Sequence, residues 1–461
     1  MGRLLKNIFI ICGVVFSLTL IIMPPMEGLS RPGQNCIAVF CFSVTMWVTQ
    51  FIPLPVTGLL VFFLLPILGV LPSSHAFSLL GSNAVFFILG AFVIAAAMMS
   101  SGLSKRLALL FLSRFGSSPR TLLLGVLLSS AFLSFWMPEH AVAAMMFPIV
   151  LEIADSLNLK PLRSQYGRAL FLSLAWGAII GGIATYLGGA RNPLAIGMLY
   201  DTYQMRIGFL EWMVASVPAV SLMLLVAFKV NSLLFRGELT SVEPARKVLE
   251  LQIRNIGKMS LRERKVAGVF LGTVILWVFF SKHLGLANIA ILSSVSLFFI
   301  KAVNWKEVEH YVNWGLILMY GGAIALGSSL ASTQAADWVA VKVLSSLFDQ
   351  PLLFISVMAL ITLILTEFIS NVAALAIVLP VAFGFCTATG TNPKLVVLAV
   401  ALSSGLAFAF PIGTPPNAIA FSSGHYSISD SLKGGVILNL VSWLMIVAIL
   451  KFYWPLLPFL N

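Results

Sequence analysis

The chain has 461 residues, of which 59% are hydrophobic and only 10% are charged, and its formal net charge is +12. Because soluble domains carry about 25% charged residues, this composition excludes a water-soluble globular fold. It predicts a single membrane domain over residues 1–461, with a lipid bilayer solvating much of its surface. The positive charge requires no nucleic-acid partner, and we expect none, since Lys and Arg collect on the cytoplasmic loops of membrane proteins.

Long apolar runs follow one another along the chain, and each is a candidate for a spanning helix of roughly 20 residues. The first run follows a basic start and lacks a small-residue cleavage site, which indicates a retained helix and not a signal peptide. The longest polar stretch, residues 236–265, is expected to be a connecting loop. The pattern predicts about 11 spanning helices, at residues 5–24, 35–51, 55–71, 83–102, 168–187, 210–234, 266–282, 287–301, 313–332, 395–411 and 434–457.

Two further regions, residues 120–154 and 350–389, are apolar throughout but are interrupted near their centres. The interruptions are Pro138-Glu139-His140 and Ser370-Asn371. Each half is expected to be too short to cross a bilayer comfortably, which predicts two re-entrant hairpins with their tips at membrane depth. Irregular backbone at that depth is tolerated only inside protein or beside a water-filled cavity.

The basic residues predict the orientation of the chain. If the N-terminus is inside and each hairpin returns to its own side, 20 of the 28 Lys and Arg residues lie on the inside. This bias agrees with the positive-inside rule. It predicts a multi-pass protein of a cell membrane, of the bacterial inner-membrane type, with a cytoplasmic N-terminus and hairpins that enter from opposite sides.

The two halves of the chain resemble each other. Aligning Pro148 with Pro380 superposes the two interruptions, and a further match places Asn192 over Asn417. Repeat one covers residues 35–234 and repeat two covers residues 266–457, both approximately. Similar sequences of opposed topology are the signature of inverted repeats in secondary transporters, whose substrate sites lie at broken helices. The predicted fold is therefore an all-α polytopic transporter with two opposed re-entrant hairpins.

Loops rich in Gly, Pro and Asn, at residues 187–193 and 412–417, interrupt the helix that follows each hairpin. A broken helix leaves free N–H groups, which attract anions, and free carbonyl groups, which can bind Na⁺. The combination suits a small anionic substrate together with a cation. The pairs Gly181-Gly182 and Gly321-Gly322 are expected to serve close helix packing instead.

The segments FLSFWMPEHAVAAMMFPIV (132–150), TEFISNVAALAIVLPV (366–381) and PIGTPPNAIA (411–420) carry a family resemblance. Together they resemble motifs of the divalent anion/sodium symporter family, in which each hairpin tip reads Ser-Asn-Thr. The resemblance covers nearly the whole chain. It implies a homodimer that carries dicarboxylates, citrate-like anions or sulfate by an elevator-like movement of the hairpins and broken helices.

The resemblance also implies site residues in the second repeat. The matching positions lie at the second tip and in the second loop, with Val372 standing where the family has Thr. They imply a Na⁺ site, with Na⁺ as the coupling ion and no other cofactor, formed by Ser370, Asn371, Gly413 and Asn417. The same resemblance implies substrate contacts from Ser370, Asn371, Thr414 and Pro415.

The first repeat departs from this motif. Pro138, Glu139 and His140 replace the Ser-Asn-Thr tip, and Arg191 is new while Asn192 is retained. Because ionisable residues at membrane depth are costly, they are candidates for function. The hypothesis is that Arg191 supplies the positive charge that Na⁺ supplies elsewhere. Glu139 then pairs with it, or His140 titrates and couples transport to protons; these residues and Asn192 complete the predicted substrate site.

Structural roles compete with these functional ones. Glu139 and His140 would then only cap the hairpin tip, and Arg191 would extend to an interface. Glu367 is as suited to pinning its hairpin by hydrogen bonds as to contacting substrate.

No Walker, HExxH or GxSxG motif is present in the sequence, so we expect a transporter and not an enzyme. An anion exchanger or a proton-coupled carrier without Na⁺ is the main alternative. An intramembrane enzyme using Glu139, His140 and Arg191, and a receptor or channel without carrier activity, remain further alternatives.

Overall fold

The computed structural model describes residues 3–235, 239–344 and 350–460, and every regular element in these ranges is helical. The first half contains α1 (Arg3–Ile22), α2 (Arg31–Thr49), α3 (Leu54–Ile67), α4 (Ser73–Ser78), α5 (Asn83–Ser100), α6 (Leu103–Leu112), α7 (Pro119–Ser134), α8 (Glu139–Ser156), α9 (Gln165–Gly181), α10 (Arg191–Tyr203) and α11 (Phe209–Leu234). The second half contains α12 (Glu243–Ile256), α13 (Leu261–Leu284), α14 (Leu286–Phe299), α15 (Trp305–Glu309), α16 (Trp314–Ser332), α17 (Ala335–Val339), α18 (Pro351–Thr366), α19 (Asn371–Thr389), α20 (Pro393–Ser404), α21 (Pro415–Phe421) and α22 (Ile428–Phe452).

Six segments of the described chain are helical, long and apolar enough to cross a membrane. Because their backbone hydrogen bonds are made within the helix, such segments can be solvated by lipid on their outer faces. This finding confirms an all-helical membrane protein of several passes. The segments are Ser73–Ser100, Phe209–Leu234, Leu261–Leu284, Trp314–Ser332, Asn371–Thr389 and Ile428–Leu456.

Both predicted interruptions are present, each slightly earlier than expected. The helix breaks at residues 135–138 and 367–370, so Glu139 and Asn371 are the first residues of α8 and α19. The two halves of each pair contact one another. The expectation that every half is too short is wrong for α19, because its 19 residues extend over about 28 Å at 1.5 Å per residue.

The helices that follow the hairpins end earlier than the apolar pattern predicts. The predicted spans 168–187 and 395–411 stop at Gly181 and Ser404, and non-helical backbone covers residues 182–190 and 405–414. We call these segments loop 1 and loop 2. Arg191 therefore lies in the first turn of α10, and not in the loop where the sequence pattern placed it.

The polar stretch between the two halves is not simply a loop. Residues 236–238 lie outside the described ranges, but the stretch contains helix α12, which packs against α6 and α8. Arg106 of α6 fixes its end by donating from Nη1 to the carbonyl of Gly257 at 2.9 Å. The same side chain pairs with Glu263 of α13 at 2.7 Å.

The two halves pack against each other through equivalent helix pairs, because the alignment of Pro148 with Pro380 places α3 over α14 and α5 over α16. Helix α3 packs against α16, and α14 packs against α5. Each contact is closest at a glycine, since a Cβ at Gly58 would lie 2.6 Å from the carbonyl oxygen of Leu318, and one at Gly90 would lie 2.7 Å from the Cβ of Ala290. Gly322 faces Gly58 across the first contact, which confirms its predicted packing role.

We predict that Gly58→Ala lowers the melting temperature of the purified protein, because the added methyl group meets rigid backbone of α16. The overpacking should cost roughly 1–3 kcal/mol of stability. Gly272→Ala is the matched control, because a Cβ there has no neighbour within 4 Å, and its melting temperature should stay equal or rise. Equal melting temperatures for both variants would show that the α3–α16 contact does not require the glycine.

Candidate functional site

Loop 1 and loop 2 are held by the same pattern of hydrogen bonds. The side-chain amide of Asn192 donates to two carbonyls of loop 1 at 2.9 and 2.6 Å. The amide of Asn417 donates to two carbonyls at the same offsets in loop 2, at 3.0 and 3.3 Å. This match supports the alignment of Asn192 with Asn417. The acceptors are Gly182 and Thr185 in loop 1, and Ala407 and Phe410 in loop 2.

Both asparagines keep one unused acceptor. The Oδ1 atoms of Asn192 and Asn417 are buried, and neither has a hydrogen-bond partner among the described residues. Buried polar atoms are nearly always paired, so two unpaired oxygens at corresponding positions make both asparagines candidate ligands for a cation, a substrate or water.

The first hairpin tip is fastened to loop 1. The backbone N–H of Glu139 donates to the carbonyl of Gly188 at 2.9 Å. The hydroxyl of Thr185 donates to the carbonyl of Phe135, in the break of the hairpin. These two bonds hold the break of the first hairpin against loop 1. They also fix the position of Glu139 at the start of α8.

Glu139 and Arg191 form a buried ion pair. Arg191 Nη1 donates to Glu139 Oε1 at 3.0 Å, and the side chains are only 1% exposed for Arg191 and 7% for Glu139. Arg191 begins α10, where the helix dipole disfavours a cation, whereas Glu139 begins α8, where the dipole favours an anion. The guanidinium thus depends on a nearby negative charge. The pairing predicted from the sequence is present, and extension of Arg191 to an interface is contradicted by its burial.

Most of the hydrogen-bonding capacity of this pair is unused. Nε and Nη2 of Arg191 and Oε2 of Glu139 are buried, and none has a partner among the described residues. Two glycines make room here: a Cβ at Gly405 would lie 2.3 Å from Arg191 Nη2, and one at Gly182 would lie 2.3 Å from Glu139 Oε2. The lack of a side chain at Gly182 therefore leaves space for the carboxylate of Glu139. The sequence predicted only helix packing for this glycine.

The second hairpin tip reaches the same carboxylate. Asn371 Nδ2 donates to Glu139 Oε1 at 3.2 Å. The Oδ1 atom of Asn371 lies 2.8 Å from the hydroxyl of Thr366. Ser370 is half-buried and caps α19, accepting from the N–H of Ala373 at 3.1 Å. The residues aligned as tip partners, Glu139 and Asn371, are therefore in direct contact.

Glu367 pins the second hairpin to loop 2. Its carboxylate accepts the backbone N–H groups of Phe408, Ala409 and Phe410 at 2.7, 2.9 and 2.9 Å. It also accepts from Asn439 Nδ2 at 2.6 Å. Of the two roles considered for Glu367, the structure supports the structural one.

The other residues predicted for the site make no hydrogen bond to the Arg191–Glu139 pair in the described structure. His140 is half-buried, and its ring makes no hydrogen bond within the described ranges. Thr414 is buried and caps α21 by accepting from the N–H of Asn417 at 3.4 Å, while Pro415 is exposed. Gly413 packs near Glu367, since a Cβ there would lie 3.2 Å from its Oε2.

Sequence reasoning missed two residues beside the ion pair. Gly405 lies far along the chain from Arg191, so no local pattern indicates their contact. The hydroxyl of Tyr320 is buried, has no hydrogen-bond partner in the described part of the chain, and lies within electrostatic range of Arg191 and Glu139. In the sequence, Tyr320 is marked only by its place before Gly321-Gly322 on an apolar helix, which does not indicate a role in the site.

A large cavity of about 660 Å³ lies along α10 but does not include the ion pair. Its lining includes Pro193, two residues after Arg191, and Asp201 near the other end of the helix. It also includes the basic residues Arg206, Lys282 and Lys394. The lining is thus mixed in charge, because the acidic residues Asp201 and Glu211 stand among the basic ones.

We predict that Glu367→Gln destabilises the protein, because an amide can no longer accept all the N–H groups that the carboxylate accepts. Loss of one charge-assisted bond should cost about 2 kcal/mol. The melting temperature should fall relative to wild type and to Glu309→Gln, which changes an exposed carboxylate. A stable Glu367→Gln protein with reduced transport would assign Glu367 to substrate instead.

Known proteins resemble this chain along its whole length. The profile described as "Sodium:sulfate symporter transmembrane region" matches residues 5–460. The sodium-dependent dicarboxylate transporter SdcS of Staphylococcus saprophyticus is 30% identical over 96% of this chain and 90% of its own length. SdcS of Staphylococcus aureus strain USA300 is 28% identical over the same shares.

A solved structure has a similar fold. The YdaH transporter of Alcanivorax borkumensis superposes with a TM-score of 0.55 at 14% identity, covering 82% of this chain and 88% of that one. At that identity the similarity concerns the fold alone. The family assignment of this chain rests on the profile match and on the similarity to SdcS. The chain belongs to the sodium:sulfate symporter family of secondary membrane transporters, which confirms both the resemblance to the divalent anion/sodium symporters and the expectation that the chain is not an enzyme.

Proposed function

We propose that this protein carries small dicarboxylate anions across a cell membrane, coupled to Na⁺, at a site between the two hairpin tips. The observation that carries the proposal is the buried guanidinium of Arg191, whose Nε and Nη2 groups have no partner in the described structure. The relatives named sodium-dependent dicarboxylate transporters favour this substrate class over citrate-like anions and sulfate.

The charges around Arg191 favour an anion. The start of α8 and the start of α10 both bring positive dipole ends toward the ion pair, and Glu139 is the carboxylate paired with the guanidinium there. An Arg fork recognises a carboxylate in bidentate geometry. Asn371 and Asn192 add neutral polar groups, and His140, Ser370, Thr414 and Pro415 complete the proposed substrate site.

The second half provides a neutral oxygen environment that suits a hard cation. Ser370, Asn371, Gly413 and Asn417 lie at the start of α19, at the end of loop 2 and in the first turn of α21, and none of them is charged. The unpaired Oδ1 of Asn417 and the carbonyl groups of loop 2 are suitable Na⁺ ligands. In the first half, Arg191 lies at the start of α10, next to Asn192, and acts as a tethered cation.

The proposed architecture has two inverted repeats, two re-entrant hairpins and about 11 spanning helices. It includes homodimerisation, elevator-like movement and a cytoplasmic N-terminus. The matching helix pairs and the matching asparagine bonds support the repeats. The cavity along α10 is a candidate route by which anions reach Arg191.

An exchanger or a proton-coupled carrier without Na⁺ is the second candidate. It is favoured by one observation: the first half contains a complete ion pair, Arg191–Glu139, with His140 next to Glu139. In that case, anion binding would not depend on Na⁺.

We predict that succinate raises the melting temperature of the purified protein, and that it does so more strongly with Na⁺ than with choline. A ligand present at 100 times its dissociation constant stabilises by about 2.7 kcal/mol, which corresponds to a readily measured shift. Citrate, sulfate and phosphate are the comparison anions. An equal succinate shift without Na⁺ would favour the second candidate, and no shift with any dicarboxylate would contradict the proposed substrate class.

We predict that Arg191→Ala abolishes succinate uptake into proteoliposomes even at high Na⁺, because the tethered cation is lost. Arg191→Lys keeps the charge without the fork and should retain part of the activity. Arg264→Ala is the matched control, since Arg264 is exposed on α13 and does not line the cavity. Uptake by Arg191→Ala equal to that of the control would contradict the proposed site.

A further inference from the structure

We infer that the carboxylate of Glu139 is a built-in competitor of the substrate: it occupies the place of a substrate carboxylate and is displaced from Arg191 when the anion binds. The inference rests on the proposed function, because it concerns the same site. It assigns Glu139 a role distinct from direct substrate binding, namely neutralising the empty site.

The position of the carboxylate is the first argument. Glu139 Oε1 receives Arg191 Nη1 at 3.0 Å and Asn371 Nδ2 at 3.2 Å. These two donors come from different halves of the chain and are the ones proposed to bind the anion. A carboxylate therefore already lies between the two tips, held by the groups that an incoming carboxylate would use.

The incomplete bonding of the pair is the second argument. A buried ion pair is stable only if further hydrogen bonds satisfy its remaining groups. Here Glu139 Oε2 and the Nε and Nη2 groups of Arg191 are buried without partners in the described ranges. Three unsatisfied atoms on one buried pair require an explanation, and a ligand that bonds to them supplies one.

A structural ion pair elsewhere in the chain provides the contrast. Arg106 reaches both oxygens of Glu263, at 2.7 and 3.1 Å, and also donates to the carbonyls of Ile256, Gly257 and Lys258. Glu263 additionally accepts the backbone N–H of Ser260 at 2.6 Å. That pair is saturated, whereas the Arg191–Glu139 pair retains free bonding capacity.

The surrounding glycines are the third argument. Gly182 packs against Glu139 Oε2 and Gly405 packs against the guanidinium of Arg191, and a Cβ at either glycine would clash with these atoms at 2.3 Å. The ion pair is therefore contacted by backbone rather than by bonding side chains on these sides. In the described part of the chain, the glycine backbone offers no side-chain hydrogen-bond partner to the unpaired atoms.

The decisive variant is Glu139→Gln, which keeps the shape of the side chain but removes the competing charge. Its dissociation constant for succinate, measured by calorimetry at saturating Na⁺, should fall about tenfold relative to wild type. Glu263→Gln is the matched control: it breaks the saturated pair and should lower the melting temperature without changing succinate affinity. Unchanged or weaker succinate binding by a folded Glu139→Gln protein would overturn the inference.

A second measurement does not depend on succinate or on transport. The Glu139→Ala variant lacks the carboxylate that pairs with Arg191, and formate is a carboxylate small enough to take its place. Formate at millimolar concentration should therefore raise the melting temperature of this variant. It should leave the melting temperature of wild type unchanged, because Glu139 occupies the place there. If formate stabilises neither protein, the inference fails even when wild type transports dicarboxylates. If wild type binds no dicarboxylate but formate stabilises Glu139→Ala, the proposed substrate class fails and the role of Glu139 stands.

Discussion

The ion pair between Arg191 and Glu139 is the contact on which the site depends, because a buried guanidinium at a helix start cannot be left without a counter-charge. Transfer of each ion from water costs several kcal/mol, and removing one partner of such a pair typically costs about 3–5 kcal/mol. The pair joins the start of α8 to the start of α10, and Asn371 extends it to α19. Three helix starts from two halves of the chain are thereby held at a single carboxylate oxygen.

The backbone around this contact is held by side chains and not by regular secondary structure. Asn192 and Asn417 satisfy carbonyl groups that the unwound helices leave free, and Glu367 satisfies three N–H groups of loop 2. These bonds allow irregular backbone to persist inside an apolar protein. The same pattern of hydrogen bonds thus occurs in both halves, although their charges differ. In the first half, α10 begins with the charged Arg191, whereas in the second half α21 begins with the neutral Pro415.

Much of the fold was predictable because the signals were local. Pro138 and Ser370 mark the two hairpin breaks, and the paired loops could be aligned through Asn192 and Asn417. The early ends of α9 and α20 were not predictable, since apolar residues continue beyond Gly181 and Ser404, and distant side chains stabilise the unwound backbone. The contact of Gly405 with Arg191 was hidden for the same reason: it is a tertiary contact without a periodic pattern.

The difference between the two halves has an electrostatic reason. A carrier that returns empty must not expose an uncompensated charge to a medium of low dielectric constant. A dissolved cation, which we propose for loop 2, would satisfy this requirement by leaving with the substrate. A tethered guanidinium cannot leave, so its compensation must come from the protein, and Glu139 lies 3.0 Å from Arg191 with one oxygen unpaired. Glu139 and Arg191 therefore compensate each other in the first half, where the second half has the neutral Asn371 at the tip and no charged residue in the first turn of α21, and neither charge is favourable alone.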